Sequence, residues 1–339
     1  MTGRARLSVV VVTFGSGAAL ERSLPPLLGQ LGPGDELVVV DNASTDDSVE
    51  RVRRLAPRAR VLVQGRNLGF AAGCNAGAGV AGGDLLVFLN PDAVVADGFA
   101  EAIRRPLERG WDAWMGMVTA GDALNTTGGV VHFTGIAWSG QVGEPLAAAP
   151  AAAREVAFAS GACLAVPRER WHDLGGFAPE FFMYCEDVDL SLRAWLWGGR
   201  VGVEPAARVD HDYAFAKGAY KWRLLERNRA AAVIRIYPGP LLAVLAPALL
   251  ATELALLIVA SASGWGWPKL QANADTLRAL PRLLRERRAI QDRRAIGARE
   301  FARLLTPELS SPDLGPVARN RLLRAALRAY WRVALSVIR

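Results

Sequence analysis

Four short apolar runs, Val9–Val12, Leu37–Val40, Val61–Val63 and Leu85–Leu89, punctuate the first third of the chain. Runs this short, rich in β-branched residues or leucine, read as strands buried on both faces. Helix candidates lie between them: residues 18–31, interrupted by Pro25 and Pro26; residues 46–55, opened by Ser44 or Thr45 as a cap; and residues 70–80. Alternating strand and helix require crossover connections, and so an α/β fold with a mostly parallel sheet and helices on both faces. Sheets of this kind bind ligands beyond the carboxyl ends of their strands. The first run follows Arg4 and Arg6 in the manner of a secretion leader, but it is short, lacks a clear cleavage site and is β-branched enough to be a buried strand.

Further along, residues 111–157 loosen into Gly-, Thr- and Ala-rich sequence that reads as strands and loops, with Ala147–Ala153 a flexible segment or lid. Order returns at Ser160–Val166, followed by a short helix near Arg168–Leu174, a Gly175-Gly176 turn and a helix over Glu186–Trp197. Composition shifts after His211. With 339 residues, the chain suits one large domain, 1–225, and an appended helical region, 226–339. The glycines of Gly77-Ala78-Gly79-Val80-Ala81-Gly82 fit a dinucleotide fingerprint, yet they follow a helix and precede a strand, the reverse of that motif's context. Three cysteines without metal-ligand spacing suit a reduced cytosolic setting.

The strand ends carry the chemistry. Asp41 and Asn42 follow the second strand, where Asp41 can accept a base N–H; Ser44, Thr45 and Asp46 read as local capping residues. Asn90-Pro91-Asp92 ends the fourth strand, and one carboxylate at such a rim can hold a divalent cation against a diphosphate or serve an Asx-type turn. Glu186-Asp187-Val188-Asp189 opens a helix behind the aromatic run Phe181-Phe182-Met183-Tyr184. Acidic residues favour helix starts for dipole reasons, and Asp189 can pair with Arg193; a carboxylate walled by aromatics also suits a general base acting on a hydroxyl.

In order along the chain stand VVVVTF, VDNASTDDS, GRNLGFAAGCNAG, FLNPDA, SGACLAVPRE, GGFAPEFFMYCEDVDLSLR and RNR. Together they resemble the inverting family 2 glycosyltransferases of GT-A fold, in their bacterial rhamnosyltransferase-like branch, over residues 7–230. The resemblance implies that Thr13 and Asp41 contact the nucleotide base, and that Arg66, Asn67, Gly69, Asn75 and Asn90 line the donor. It makes Asp92 a metal ligand for Mg²⁺ or Mn²⁺, with His211 completing the site, although Asp212-Tyr213-Ala214-Phe215 depart from the small and hydroxyl residues expected after it. Asp187 becomes the catalytic base, with Glu186 as the fallback. Gly161, Phe182 and Tyr184 shape the acceptor side, and Arg227 and Arg229 are candidate diphosphate contacts. His132 and His172 have no such support and read as structural.

The charge completes the reading. A net +7 hides a split: residues 1–225 carry 21 Lys/Arg against 25 Asp/Glu, and residues 226–339 carry 19 against 8. Leu241–Ala260 is long enough to span a bilayer. Its eleven Leu, Ile and Val residues contribute roughly −3 to −7 kcal/mol to insertion, against about +3 for Glu253 and a further penalty for Pro247. A cytosolic catalytic domain with one span would also place the arginines outside, so an in-plane or re-entrant helix, or a packing surface, is preferred. The last twenty residues form a basic amphipathic helix suited to an anionic membrane, or to packing in a homo-oligomer. Interrupted by twenty apolar residues, the basic region does not suit nucleic acid. The expectation is a metal-dependent transferase on the cytoplasmic face of a bacterial inner membrane, moving a sugar from dTDP-rhamnose or a UDP-sugar to a lipid-linked or envelope glycan. A nucleotidyltransferase and a catalytically silent membrane scaffold are the alternatives.

Overall fold

The computed structural model describes residues 4–211, 218, 220–311 and 320–338, so Asp212-Tyr213-Ala214-Phe215 lie outside the described residues. The chain divides into two compact units: Met1–Gly128, Ser139–Ser191 and Arg200–Tyr213 make the first, and Gly129–Trp138, Leu192–Gly199 and Ala214–Arg339 the second.

The first unit opens as the sequence pattern predicts, with β1 (Leu7–Thr13), α1 (Gly17–Leu28), β2 (Glu36–Asp41), α2 (Ser48–Leu55), β3 (Arg60–Val63), α3 (Gly69–Val80) and β4 (Leu85–Leu89). These four strands pair in parallel in the order β3-β2-β1-β4. Every residue of β1 and β4 is buried, which is why both read as unbroken apolar runs. Then come β5 (Val94–Val95), α4 (Phe99–Ala102), β6 (Ala113–Ala120), β7 (Ala123–Thr126), β8 (Gly129–His132), β9 (Ala137–Ser139), β10 (Arg154–Glu155), β11 (Cys163–Pro167), α5 (Arg168–Leu174), α6 (Glu186–Leu196) and β12 (Val201–Asp210). Antiparallel β11 inserts between β4 and β6, and β12 runs parallel to β6, so the sheet extends as β10-β12-β6-β11-β4-β1-β2-β3. Because β11 is reversed, its start lies at the rim where β1, β2, β4 and β12 end.

Local structure adds detail to these expectations and changes one of them, the break at Pro25 and Pro26. Helix α1 runs through Pro25 and Pro26 to Leu28, although those prolines have no N–H to offer the carbonyls a turn earlier. Helix α2 starts at Ser48, with no side-chain cap from Asp47. Ser44 and Asp46 also tie down the β1–α1 loop: Ser44 Oγ accepts from Gly15 N at 3.0 Å, and Asp46 accepts from Gly17 N at 3.0 Å while its Oδ1 takes Ser48 N, at the start of α2, at 3.2 Å, so the local capping expected of Asp46 is present. Within Ala147–Ala153, the start belongs to a short 3-10 turn over Leu146–Ala148 that leads toward β10.

The second unit holds α7 (Tyr220–Ile236), α8 (Gly239–Ala262), α9 (Gly266–Asp292), α10 (Ala298–Ala302), β13 (Leu305–Thr306) and α11 (Arg321–Val337), with a small sheet in the order β13-β8-β9. Phe133 stacks on Trp331 with ring centroids 5.1 Å apart, and Tyr330 Oη donates to Val244 O at 2.6 Å, so α11 is fastened to the unit's core. His132 is buried with its Nδ1 2.7 Å from Thr134 Oγ1, and burial pulls its imidazole down to about 4. Helix α8 has the length and apolar composition to cross a membrane. Its Glu253 bonds Lys269 at 2.6 Å and also Arg229, both buried. Glu226 completes the cluster, 2.9 Å from Arg229 and 2.5 Å from Lys269.

Candidate active site at the carboxyl rim of the sheet

Thr13 and Asp41 stand side by side at the ends of β1 and β2, held by the parallel register and by Asn42 N donating to Thr13 O at 2.8 Å. Asp41 is buried, and its Oδ2 accepts from Ser44 N at 3.1 Å. Its Oδ1, Thr13 Oγ1 and Asn42 Oδ1 are buried and meet no hydrogen-bond partner among the described residues. A buried acceptor left unmet costs about 1–3 kcal/mol, so three together form a place that a ligand's donors would repay. Asn42 is an addition to the residues expected from sequence; its position directly after Asp41 was the available signal. Its Nδ2 donates to Gly69 O at 3.0 Å and so links this corner to α3.

Asn67 and Gly69 build the start of α3. Asn67 Oδ1 accepts from Gly69 N at 2.9 Å, and Gly69 has φ +85°, a conformation that disfavours a side chain. A Cβ there would also lie 2.5 Å from Phe182 O, which accepts from Ala71 N at 3.1 Å. Arg66 is exposed on the preceding loop. Asn75 is corrected from donor contact to brace: its Oδ1 accepts from Phe177 N at 3.0 Å and its Nδ2 donates to Phe177 O at 2.8 Å. Gly77, from the discounted dinucleotide pattern, lets α3 approach β1, since a Cβ there would meet Val10 at 2.4 Å.

Beyond β4, Asn90, Asp92 and His211 converge. His211 follows β12 and is pinned by its N donating to Thr119 O at 2.8 Å and its O accepting from Asn125 Nδ2 at 3.1 Å. Its Nε2 lies 2.9 Å from Asp92 Oδ1 and 3.3 Å from Asn90 Nδ2. The imidazole is buried while the Asp92 carboxylate is 43% exposed, so the carboxylate can reach a ligand. Among the described residues, no group of three or more His, Cys, Asp or Glu side chains is placed to hold a metal ion. A carboxylate and an imidazole fit a divalent cation that takes its remaining oxygens from elsewhere.

Glu186 and Asp187 open α6 across the same rim. Asp187 is fixed at both oxygens, Oδ2 by Gly161 N at 2.9 Å and Oδ1 by Val188 N at 2.8 Å. Burial pushes its carboxyl up from the usual range, and these two N–H donors oppose the push. Glu186 is buried deeper, and its Oε2 meets no partner among the described residues. Burial, with the neighbouring Asp187 charge, drives its carboxyl well above the ordinary range. Gly161 sits close against Phe70 and both carboxylates: a methyl there would lie 3.3 Å from Phe70 Cε1 and 3.7 Å from Asp187 Oδ2 and from Glu186 Oε1. The aromatic run arrives through strained backbone. Phe182 adopts φ 64°, ψ −65°, a γ-turn closed by Met183 N to Phe181 O at 2.7 Å, and Tyr184 and Cys185 also have positive φ.

Arg227 and Arg229 lie on α7 of the second unit. Arg227 Nε donates to Asn228 Oδ1 at 2.9 Å. Arg229 is corrected as a diphosphate contact: it is buried, and its guanidinium is taken up by Glu226, Glu253 and Thr134 O.

A parallel opening sheet, a carboxylate beyond β4 and paired carboxylates at the head of α6 define the GT-A class of fold. Solved structures bear this out: GalNAc-T7 with UDP, GalNAc and Mn²⁺ superposes with a TM-score of 0.59 at 17% identity, over 70% of this chain and 49% of that one. The mannosyltransferase PcManGT from Pyrobaculum calidifontis, in complex with GDP-Man and Mn²⁺, does so with a TM-score of 0.51 at 19% identity, over 99% and 87%. Residues 8–169 match the family model described as Glycosyl transferase family 2. The N-acetylglucosaminyl-diphospho-decaprenol L-rhamnosyltransferase of Mycobacterium tuberculosis is 28% identical over 242 residues, 62% of this chain and 78% of the relative. Over residues 8–169 the chain is similar to the family 2 glycosyltransferases, and over 242 residues to a rhamnosyltransferase.

Proposed function

We propose that the chain transfers a sugar, with inversion, from dTDP-rhamnose or a UDP-sugar to a hydroxyl of a lipid-linked or cell-envelope glycan. Its place of work is the cytoplasmic face of a bacterial inner membrane, with residues 1–225 catalysing and 226–339 docking. The observation that carries this is Asp187, a carboxylate at the rim of the sheet fixed by two backbone N–H groups, one of them Gly161 N, beside a second, more deeply buried carboxylate. The name of the mycobacterial relative supports both the sugar and the lipid-linked acceptor.

The residues divide the work. Asp41, Thr13 and Asn42 offer unmet acceptors and hydroxyl to the donor's base, and Asn67 and Gly69 present backbone to the donor. Asp187 accepts the proton of the attacking hydroxyl; the bond to the anomeric carbon forms as the bond to the nucleoside diphosphate breaks. The two N–H donors aim its carboxylate, and Glu186, protonated, spares it a like charge. Asp92 and His211 would hold Mg²⁺ or Mn²⁺, which when bound offsets charge growing on the departing diphosphate. Phe182 and Tyr184 wall the acceptor side.

The test is release of nucleoside diphosphate from UDP-, dTDP- and GDP-sugars with Mg²⁺ or Mn²⁺, with and without a polyprenyl-diphosphate glycan acceptor. The dTDP-rhamnose or a UDP-sugar reaction should proceed and should fail in Asp187→Asn. Turnover of none of these donors would overturn the reading.

A further inference from the structure

The second unit carries a surface that catalysis does not use. Helix α8 exposes Ala243, Pro247, Leu250, Leu254 and Ile258 along one side, and no exposed position of the helix bears a charge. Leu250 is 64% exposed and Ile258 70%, in a helix that packs its opposite side on its neighbours. Large exposed apolar area of this kind marks a binding surface. The one charged residue of α8, Glu253, is turned inward onto Arg229 and Lys269, with Glu226 balancing the cluster at two positive and two negative charges. A transbilayer α8 would have to abandon those partners or drag a buried arginine and lysine into hydrocarbon with it, either at several kcal/mol.

Helix α9 presents a related pattern. Trp267, Leu270, Leu277 and Leu284 are exposed at helical spacing, and Arg278, Arg285 and Arg288 are exposed one position beyond that stripe or one turn on. An apolar stripe bordered by arginines, with a tryptophan near one end, fits the boundary between acyl chains and anionic headgroups. A second copy of the chain fits it poorly, because residues 226–339 carry 19 Lys/Arg against 8 Asp/Glu and two such surfaces would repel each other.

Deepening the membrane placement proposed above, on which it rests, we infer that α8 and α9 lie flat in the headgroup region of an anionic bilayer. Leu250, Leu254, Ile258 and Trp267 enter the acyl boundary, Arg278, Arg285 and Arg288 meet lipid phosphates, and the Glu226–Arg229–Glu253–Lys269 cluster keeps α8 from crossing.

The full-length protein is to be floated with vesicles of phosphatidylglycerol and phosphatidylcholine, and with phosphatidylcholine alone. Binding should be strong to the first at low salt and weak to the second. Leu254→Glu with Ile258→Glu should abolish it, and each arginine reversed among Arg278 and Arg285 should weaken it about fivefold or more, with helical circular dichroism and donor hydrolysis unchanged. Cysteines placed at Gly239 and Ser263, the two ends of α8, should both react with an impermeant maleimide from the side of addition. Absence of vesicle binding, protection of one end only, or a dimer in solution that the Leu254/Ile258 variant dissolves would each overturn the inference. Failure of the transferase assay with vesicle binding intact would count against the activity reading alone.

Discussion

At the scale of single residues, the deeper of the two paired carboxylates, Glu186, is biased toward its neutral form. Its carboxyl is raised by burial and by Asp187, so its contribution to stability is whole below the ordinary carboxylate range and is lost as pH rises through the raised, folded value. In thermal melts from about pH 4 to about pH 8, the stability of the wild type relative to Glu186→Gln should therefore fall as pH rises, with the buried His132 contributing the opposite slope to both proteins. Asp187→Asn should lower turnover by about 10²–10⁴-fold, with donor affinity, read by direct titration, little changed. Asp41→Ala should raise the donor KM by a factor corresponding to about 1–3 kcal/mol, with a smaller change in kcat, because it removes an acceptor offered to the base. Asp41, Asp92, Glu186 and Asp187 were legible in the sequence because each follows a strand or opens a helix. The bracing roles of Asn75 and Arg229 were not, since their partners lie far away along the chain: Phe177 is 102 residues from Asn75, and Glu253 is 24 from Arg229.

At the scale of elements, α3 and the Phe182 turn are set against each other through Gly69. Gly69→Ala should destabilise the fold by at least about 1–2 kcal/mol for the positive φ alone. The contact with Phe182 at 2.5 Å would add to this, and differential scanning calorimetry would read the sum as a lower melting temperature. Strands β1, β2 and β4 could be read from the chain because burial on both faces keeps their middles apolar, at Val9–Val12, Leu37–Val40 and Leu85–Leu89. Strand β12 escaped because Glu204, Pro205 and Arg208 interrupt its pattern, and the ladder with β6 shifts register there. Its loss mattered, since β12 delivers His211 to Asp92. The cluster around Glu253 was equally hidden: from sequence the glutamate is a lone penalty in an apolar helix, and its partners come from two other helices.

Across the whole molecule, the described residues offer a metal only a carboxylate and an imidazole side by side, so a cation should be held firmly only when a nucleoside diphosphate supplies oxygens. Isothermal titration of Mn²⁺ should show weak binding to the protein alone and clearly tighter binding with UDP or dTDP present, a difference that Asp92→Ala should erase. The small sheet of the second unit has a further consequence, in the order of synthesis. Val131 of β8 pairs with Leu305 of β13, roughly 170 residues later. At ribosomal speeds the earlier strand waits roughly 10–35 s for its neighbour. During that interval the stretch around Val130, Val131 and Phe133 is an apolar segment without its cover, a substrate for chaperones on the nascent chain and a seed for inclusion bodies when expression outruns them.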